Sequence, residues 1–93
     1  MAASIEATLH VSLQTAQVYR VLYTVSNGHG GAATPYSIRG QETLRAFLTQ
    51  CAIAPETIDV LIARVEAGTS YVLDLAHLDQ DHVTSLLLGY TGA

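Results

Sequence analysis

The glycine-rich decad SNGHGGAATP at residues 26–35 is the stretch of this chain that most resembles a functional loop. A phosphate-binding loop of the Walker type exposes backbone N–H groups on glycine and adds a lysine at the start of a helix. The chain contains no lysine, and the decad ends in a proline before an extended segment. A dinucleotide fingerprint also requires a helix directly after its glycines, and none begins here. The decad therefore predicts a loop between two strands, with glycine used for backbone freedom.

A loop of this kind could still bind a partner or a ligand, because small scaffolds often keep their contacts in loops. The residues proposed for such contacts are Asn27, Gly28, His29, Gly30 and Gly31.

The segment HLDQDH at residues 77–82 offers four side chains that can ligate a metal ion. Imidazole and carboxylate ligands converge on a helix when they are three or four residues apart, but His77 and His82 are five apart and span a predicted helix start. The aspartates also suit the N-terminus of that helix. His77, Asp81 and His82 are thus weak metal candidates, and we expect neither a metal nor another cofactor.

The sequence predicts no catalytic residue. Cys51 lies in the apolar stripe of a predicted helix, where a buried thiol is unreactive. His10 lies in a polar row of a predicted strand, which is typical of a solvated surface. The sequence favours a protein that is not an enzyme, and the alternative is a ligand-dependent or metal-dependent enzyme that uses His29, His77 and His82.

Two strands are predicted at the start of the chain. From Ile5 to Leu13 apolar and polar residues alternate, which is the pattern of a strand with one face in water. Residues 16–26 are rich in β-branched and aromatic residues, and both faces of this run are largely apolar. The short connection predicts an antiparallel hairpin over residues 5–26, with its second strand inside the sheet or covered on both faces.

Helical spacing replaces this alternation after Gly40. Apolar residues recur at intervals of three and four in residues 44–51 and 58–65, which predicts two amphipathic helices. Pro55 suits the first turn of the second helix, and Gly68 suits its end.

The remaining elements complete an α+β fold. A short strand is possible at residues 36–39, another strand is predicted near residues 69–76, and Asp79 can cap a final helix. The predicted order is β-β-(β)-α-α-β-α in one domain over residues 1–93. The three helices are expected on one face of a small antiparallel sheet.

Tyrosines form five of the six aromatic residues, and tyrosine is enriched at interfaces because its ring is apolar and its tip polar. Tyr19, Tyr23 and Tyr71 fall on one face of the predicted sheet. They are a possible interface, although core packing explains them equally well.

The charge of the chain disfavours binding to nucleic acids and to anionic membranes. The net charge is −4, and the only basic residues besides histidine are four dispersed arginines, so neither nucleic acid nor an anionic membrane is an expected partner. Residues 44–65 have the spacing of a helix-turn-helix, but the second helix is acidic, so a nucleic-acid regulator is a third and disfavoured possibility. The start of the chain reads as a strand instead of a signal peptide.

The sequence as a whole predicts a small acidic binding or regulatory protein that acts through protein contacts. A largely apolar central strand and surplus aliphatic residues suggest that the second sheet face is also covered, and a homodimer would do this. The single cysteine fits a reducing compartment, so a cytoplasmic location is expected.

Overall fold

A computed structural model describes residues 6–26 and 31–91 of the chain. Its elements are, in chain order, β1 (Glu6–Thr15), β2 (Val18–Ser26), β3 (Gly31–Arg39), α1 (Gln41–Gln50), α2 (Pro55–Glu66), β4 (Tyr71–Asp74) and α3 (Gln80–Thr91). The α+β class and the predicted order of elements are confirmed.

The four strands form one antiparallel sheet in the order β3-β2-β1-β4. A tight turn at Ala16 and Gln17 joins β1 to β2, and Gln17 has a positive φ of 61° there. The two apolar faces of β2 predict an internal strand, and β2 does lie between β1 and β3.

The third strand is longer than its sequence suggests. Only residues 36–39 have strand character, yet β3 begins at Gly31 and pairs with β2 from Ser26↔Gly31 to Val18↔Arg39. Residues 31–35, which the glycine-rich pattern assigns to a loop, are therefore strand. Pairing with the long apolar β2 overrides weak local propensity, and Pro35 is tolerated because β3 is an edge strand.

The helices begin and end at the residues that favour those positions. Pro55 occupies the first turn of α2, and Gly68 follows its end with φ of 91°. The Asp79 carboxylate caps α3 by accepting a hydrogen bond from the backbone N–H of His82 at 3.2 Å.

The core lies between the helices and one face of the sheet. Alternate strand residues such as Leu9, Val11 and Val21 are fully buried against helix residues such as Phe47 and Leu61. Within the described ranges no helix is both long enough and apolar enough to cross a membrane.

Candidate functional site

The described helices leave one surface of the sheet uncovered. Successive side chains of a strand point to opposite faces, so residues that alternate with the buried ones form this second surface, which we call the open face. Its central row crosses all four strands at Pro35, Leu22, His10 and Val72. Three of these four residues are apolar, and Val72 is 50% exposed.

Small hydroxyl residues flank the central row. On one side Thr8 pairs with Thr24, and on the other Ser12 pairs with Arg20. Ser37 donates a hydrogen bond to the side-chain oxygen of Gln14 at 2.9 Å, across the arginine side of the surface. The open face is therefore apolar at its centre and weakly polar around it.

The charges of the open face are separated along the strands. Arg20 and Arg39 lie on one side of the central row, where Arg20 pairs with Ser12 and Ser37 and Arg39 pairs with Val18. Asp74, opposite Thr8, and Glu6, opposite Ser26, lie on the other side. Arg20 and Asp74 flank the central row about 13 Å apart along the strand direction.

These arginines have no acidic partner within the described part of the chain. The salt bridge found there joins Arg45 to Asp59 at 2.8 Å and links α1 to α2, away from the open face. The guanidinium groups of Arg20 and Arg39 are thus available to a partner molecule.

The tyrosines proposed as an interface lie on the opposite face, beneath the helices. Tyr19 is fully buried and Tyr23 is 5% exposed, so both belong to the core and do not present a surface to a partner. Tyr71 is half-buried, and the Arg64 guanidinium lies 5.5 Å from its ring centroid. Tyr19 and Tyr23 therefore do not form the expected interface, because their rings pack in the core between the sheet and the helices.

The two buried hydroxyl groups differ in their hydrogen bonding. Tyr19 donates to a carboxylate oxygen of Glu66 at 2.5 Å. Burial, and then this carboxylate, raise the pKa of Tyr19 above its ordinary value. The Tyr23 hydroxyl has no hydrogen-bond partner among the described residues, and its pKa is raised by burial and by nearby Cys51 and Asp79.

The proposed metal candidates do not form a ligand set. His77, Asp81 and His82 are all exposed, and the described ranges contain no group of three or more potential ligands that could hold a metal ion. Asp79 accepts the helix-capping hydrogen bond that its position predicts.

The glycine-rich segment is described only in part. Asn27, Gly28, His29 and Gly30 lie outside the described residues, so the proposed binding loop stays a prediction. Gly31 begins β3, and a Cβ atom there would lie 2.8 Å from the backbone oxygen of Val25. This close approach gives Gly31 a structural reason to be glycine.

Cys51 is fully buried, as its place in the apolar stripe predicts. Burial raises the pKa of its thiol from 9.0 to about 11, so the thiol stays protonated and is a poor nucleophile at neutral pH.

The sequence predicts that both faces of β2 are largely apolar, but it does not connect Leu22 to Pro35 or Val72. The residue patterns of β1 and β2 predict each strand separately and do not predict which residues of different strands lie side by side. The row across four strands depends on register, which comes from pairings between distant segments.

Comparisons with protein-family models, with curated proteins and with solved structures find no match to this chain. The arrangement of the open face is therefore the basis for a functional proposal.

Proposed function

We propose that this protein is a small binding protein that self-associates, with the open faces of two copies packed against each other. The observation that supports this best is the separation of charge on the open face, with arginines on one side of an apolar row and acids on the other.

A two-fold interface places the same surface of both copies in contact. If residue i of the first copy contacts residue j of the second, residue j of the first also contacts residue i of the second. When the strands of the second copy run roughly opposite to those of the first, its acidic side lies over the arginine side. Arg20 and Arg39 of each copy then approach Asp74 and Glu6 of the other. Self-complementary charge of this kind favours a second copy over an unrelated partner.

The size of the open face fits a modest interface. Three strands of nine or ten residues and one of four cover about 500 Å² at normal strand spacing, so two copies bury about 1,000 Å² together. This is near the lower limit for a specific interface. We therefore expect a concentration-dependent dimer with dissociation in the micromolar range.

Sedimentation velocity over a range of concentrations tests the proposal with charge-reversal variants. Arg20→Glu and Asp74→Arg each place like charges together across the interface, and each should weaken dimerisation about tenfold. The double variant Arg20→Glu with Asp74→Arg restores opposite charges and should recover much of the affinity.

Glu56→Arg is the matched control, because it makes the same charge change as Asp74→Arg on the exposed first turn of α2. It should leave dimerisation unchanged. A chain that is monomeric at millimolar concentration contradicts the proposal, as does equal weakening by Glu56→Arg and Asp74→Arg.

A further inference from the structure

His10 lies at the centre of the open face. It is midway along β1, where it pairs with Leu22 on β2 and with Val72 on β4. His10 is exposed, and its two direct neighbours across the strands are apolar and carry no charge. An ionisable side chain therefore interrupts the apolar row at its middle.

Two charged residues flank His10 diagonally. Arg20 is opposite Ser12, two residues after His10 on β1, and Asp74 is opposite Thr8, two residues before it. Diagonal neighbours of this kind lie about 7–8 Å apart. Arg20 and Asp74 lie on opposite sides of β1 and in opposite directions along it, so His10 is midway between them.

The other charges of the open face are farther from His10. Glu6 is four residues away on β1, and Arg39 pairs with Val18, two strands away from β1 and four residues along. Within the described residues, Arg20 and Asp74 are thus the charged groups of the open face that lie nearest to this imidazole.

The proposed dimer places His10 next to its own copy. A two-fold axis that exchanges Arg20 of one copy with Asp74 of the other passes through the point midway between these two residues on the open face. His10 occupies that point. A residue on a two-fold axis contacts the same residue of the other copy, so the two His10 side chains meet at the middle of the interface.

The protonation state of the two imidazoles decides whether this contact is favourable. Two neutral imidazoles can share a hydrogen bond, because the N–H of one ring can donate to the unprotonated nitrogen of the other. Two imidazolium rings have donors only and repel each other. Leu22 and Val72 on either side exclude water from the packed sheets, which disfavours charge there.

We propose that His10 makes dimerisation dependent on pH: the dimer forms when His10 is neutral and dissociates when His10 is protonated. This control by pH rests on the proposed dimer. Histidine is the side chain that ordinarily changes charge between about pH 8 and pH 5. In the monomer the imidazolium is exposed to water and has Asp74 diagonal to it, whereas in the dimer Asp74 is paired with Arg20 of the other copy and a second imidazolium is in contact. Proton uptake therefore stabilises the monomer, and the dimer weakens as the pH falls.

Sedimentation velocity of the full chain at about pH 7.5 and about pH 5.5, at constant ionic strength, tests the proposal. The dissociation constant of the dimer should rise about tenfold or more at the lower pH. Carboxylates ordinarily keep their charge at both values, so the pairing of Arg20 with Asp74 is retained. Circular dichroism at the two pH values checks that the chain stays folded.

Two variants of His10 separate the imidazole from other ionisable groups. His10→Gln is neutral at both pH values and should dimerise equally at both. His10→Lys is charged at both and should weaken the dimer about tenfold at the higher pH. His82→Gln is the matched control, because it removes an exposed histidine of α3 on the other side of the sheet and should keep the pH dependence of the wild type.

A dimer with the same dissociation constant at both pH values overturns the control by His10 but leaves the proposed dimer standing. The same pH dependence in wild type and His10→Gln also overturns it, because another group then takes up the proton. A chain that is monomeric at both pH values overturns the dimer and its control by pH together.

Discussion

Tyr19 and Tyr23 lie four residues apart on the same strand and point into the same core, yet their hydroxyl groups differ. The Tyr19 hydroxyl donates to Glu66, whereas the Tyr23 hydroxyl has no partner among the described residues. A hydrogen bond to a charged group stabilises a fold by roughly 1.5–3 kcal/mol, with the lower end suited to a partly exposed pair. The two residues therefore permit a direct comparison of a satisfied and an unsatisfied hydroxyl.

We expect Tyr19→Phe to lower the free energy of unfolding by about 1 kcal/mol and Tyr23→Phe to raise it by up to about 1 kcal/mol, because the second variant removes a buried hydroxyl without a partner among the described residues. Both variants keep the ring and its packing. Urea denaturation at neutral pH measures the difference. Glu66→Gln, which keeps an acceptor for Tyr19 but removes its charge, should fall between wild type and Tyr19→Phe. Equal losses for the two tyrosine variants contradict this account.

Single residues with a local role were predictable from the sequence. Asp79 caps a helix through a backbone group three residues away, so its role needs only the local pattern. The cavity that Tyr23 and Asp79 line, between the strands and the start of α3, was not predictable, because it forms only through the packing of α3 against the sheet. Residue types indicate local features such as helix caps. A cavity formed by the packing of distant segments produces little recognisable pattern in the sequence.

The helices and the first hairpin follow from hydrophobic periodicity, whereas β3 does not. The apolar stripes of α1 and α2 become buried as predicted, because each stripe is a local property of ten or twelve residues. Residues 31–35 are extended because β2 offers them a full set of pairing positions. Glycine, alanine and proline give no strand signal of their own.

One glycine after the end of a helix and another inside a helix show how backbone conformation contributes to the stability of these elements. Gly68 follows α2 with φ of 91°, whereas Gly89 lies within α3. A Cβ atom at either position would meet no atom within 4 Å, so packing does not distinguish them. The left-handed conformation costs a residue with a side chain about 1–2 kcal/mol, and glycine inside a helix costs about 1 kcal/mol relative to alanine.

Gly68→Ala should therefore destabilise the protein by about 1 kcal/mol, and Gly89→Ala should stabilise it by about 0.5–1 kcal/mol. Thermal unfolding followed by circular dichroism measures both changes. Gly68→Asn serves as the control, since asparagine tolerates the left-handed region better than alanine and should lose less stability. A destabilising Gly89→Ala contradicts the assignment of that position to an unobstructed helix surface.

At the scale of the whole molecule, the ionisable groups with raised pKa values are concentrated in the core. Burial raises the pKa of Tyr19, of Tyr23 and of the Cys51 thiol, which moves from 9.0 to about 11. In the unfolded chain these groups release their protons at lower pH than in the folded chain. The unfolded state therefore binds fewer protons than the native state above about pH 9, and the free energy of unfolding falls as pH rises.

Cys51 should dominate the first part of this fall, because its ordinary pKa is the lowest of the three. A shift of two pKa units corresponds to about 2–3 kcal/mol, lost progressively between about pH 9 and pH 11. Urea unfolding at a series of pH values from 8 to 11 should show this loss in the wild type. Cys51→Ala, which has no thiol, should start from a lower stability but decline less between pH 9 and 10, because the unfolded chain loses its cysteine proton at lower pH than its tyrosine protons. If the two stability curves run parallel over that interval, the Cys51 thiol is not shielded from water as its burial requires.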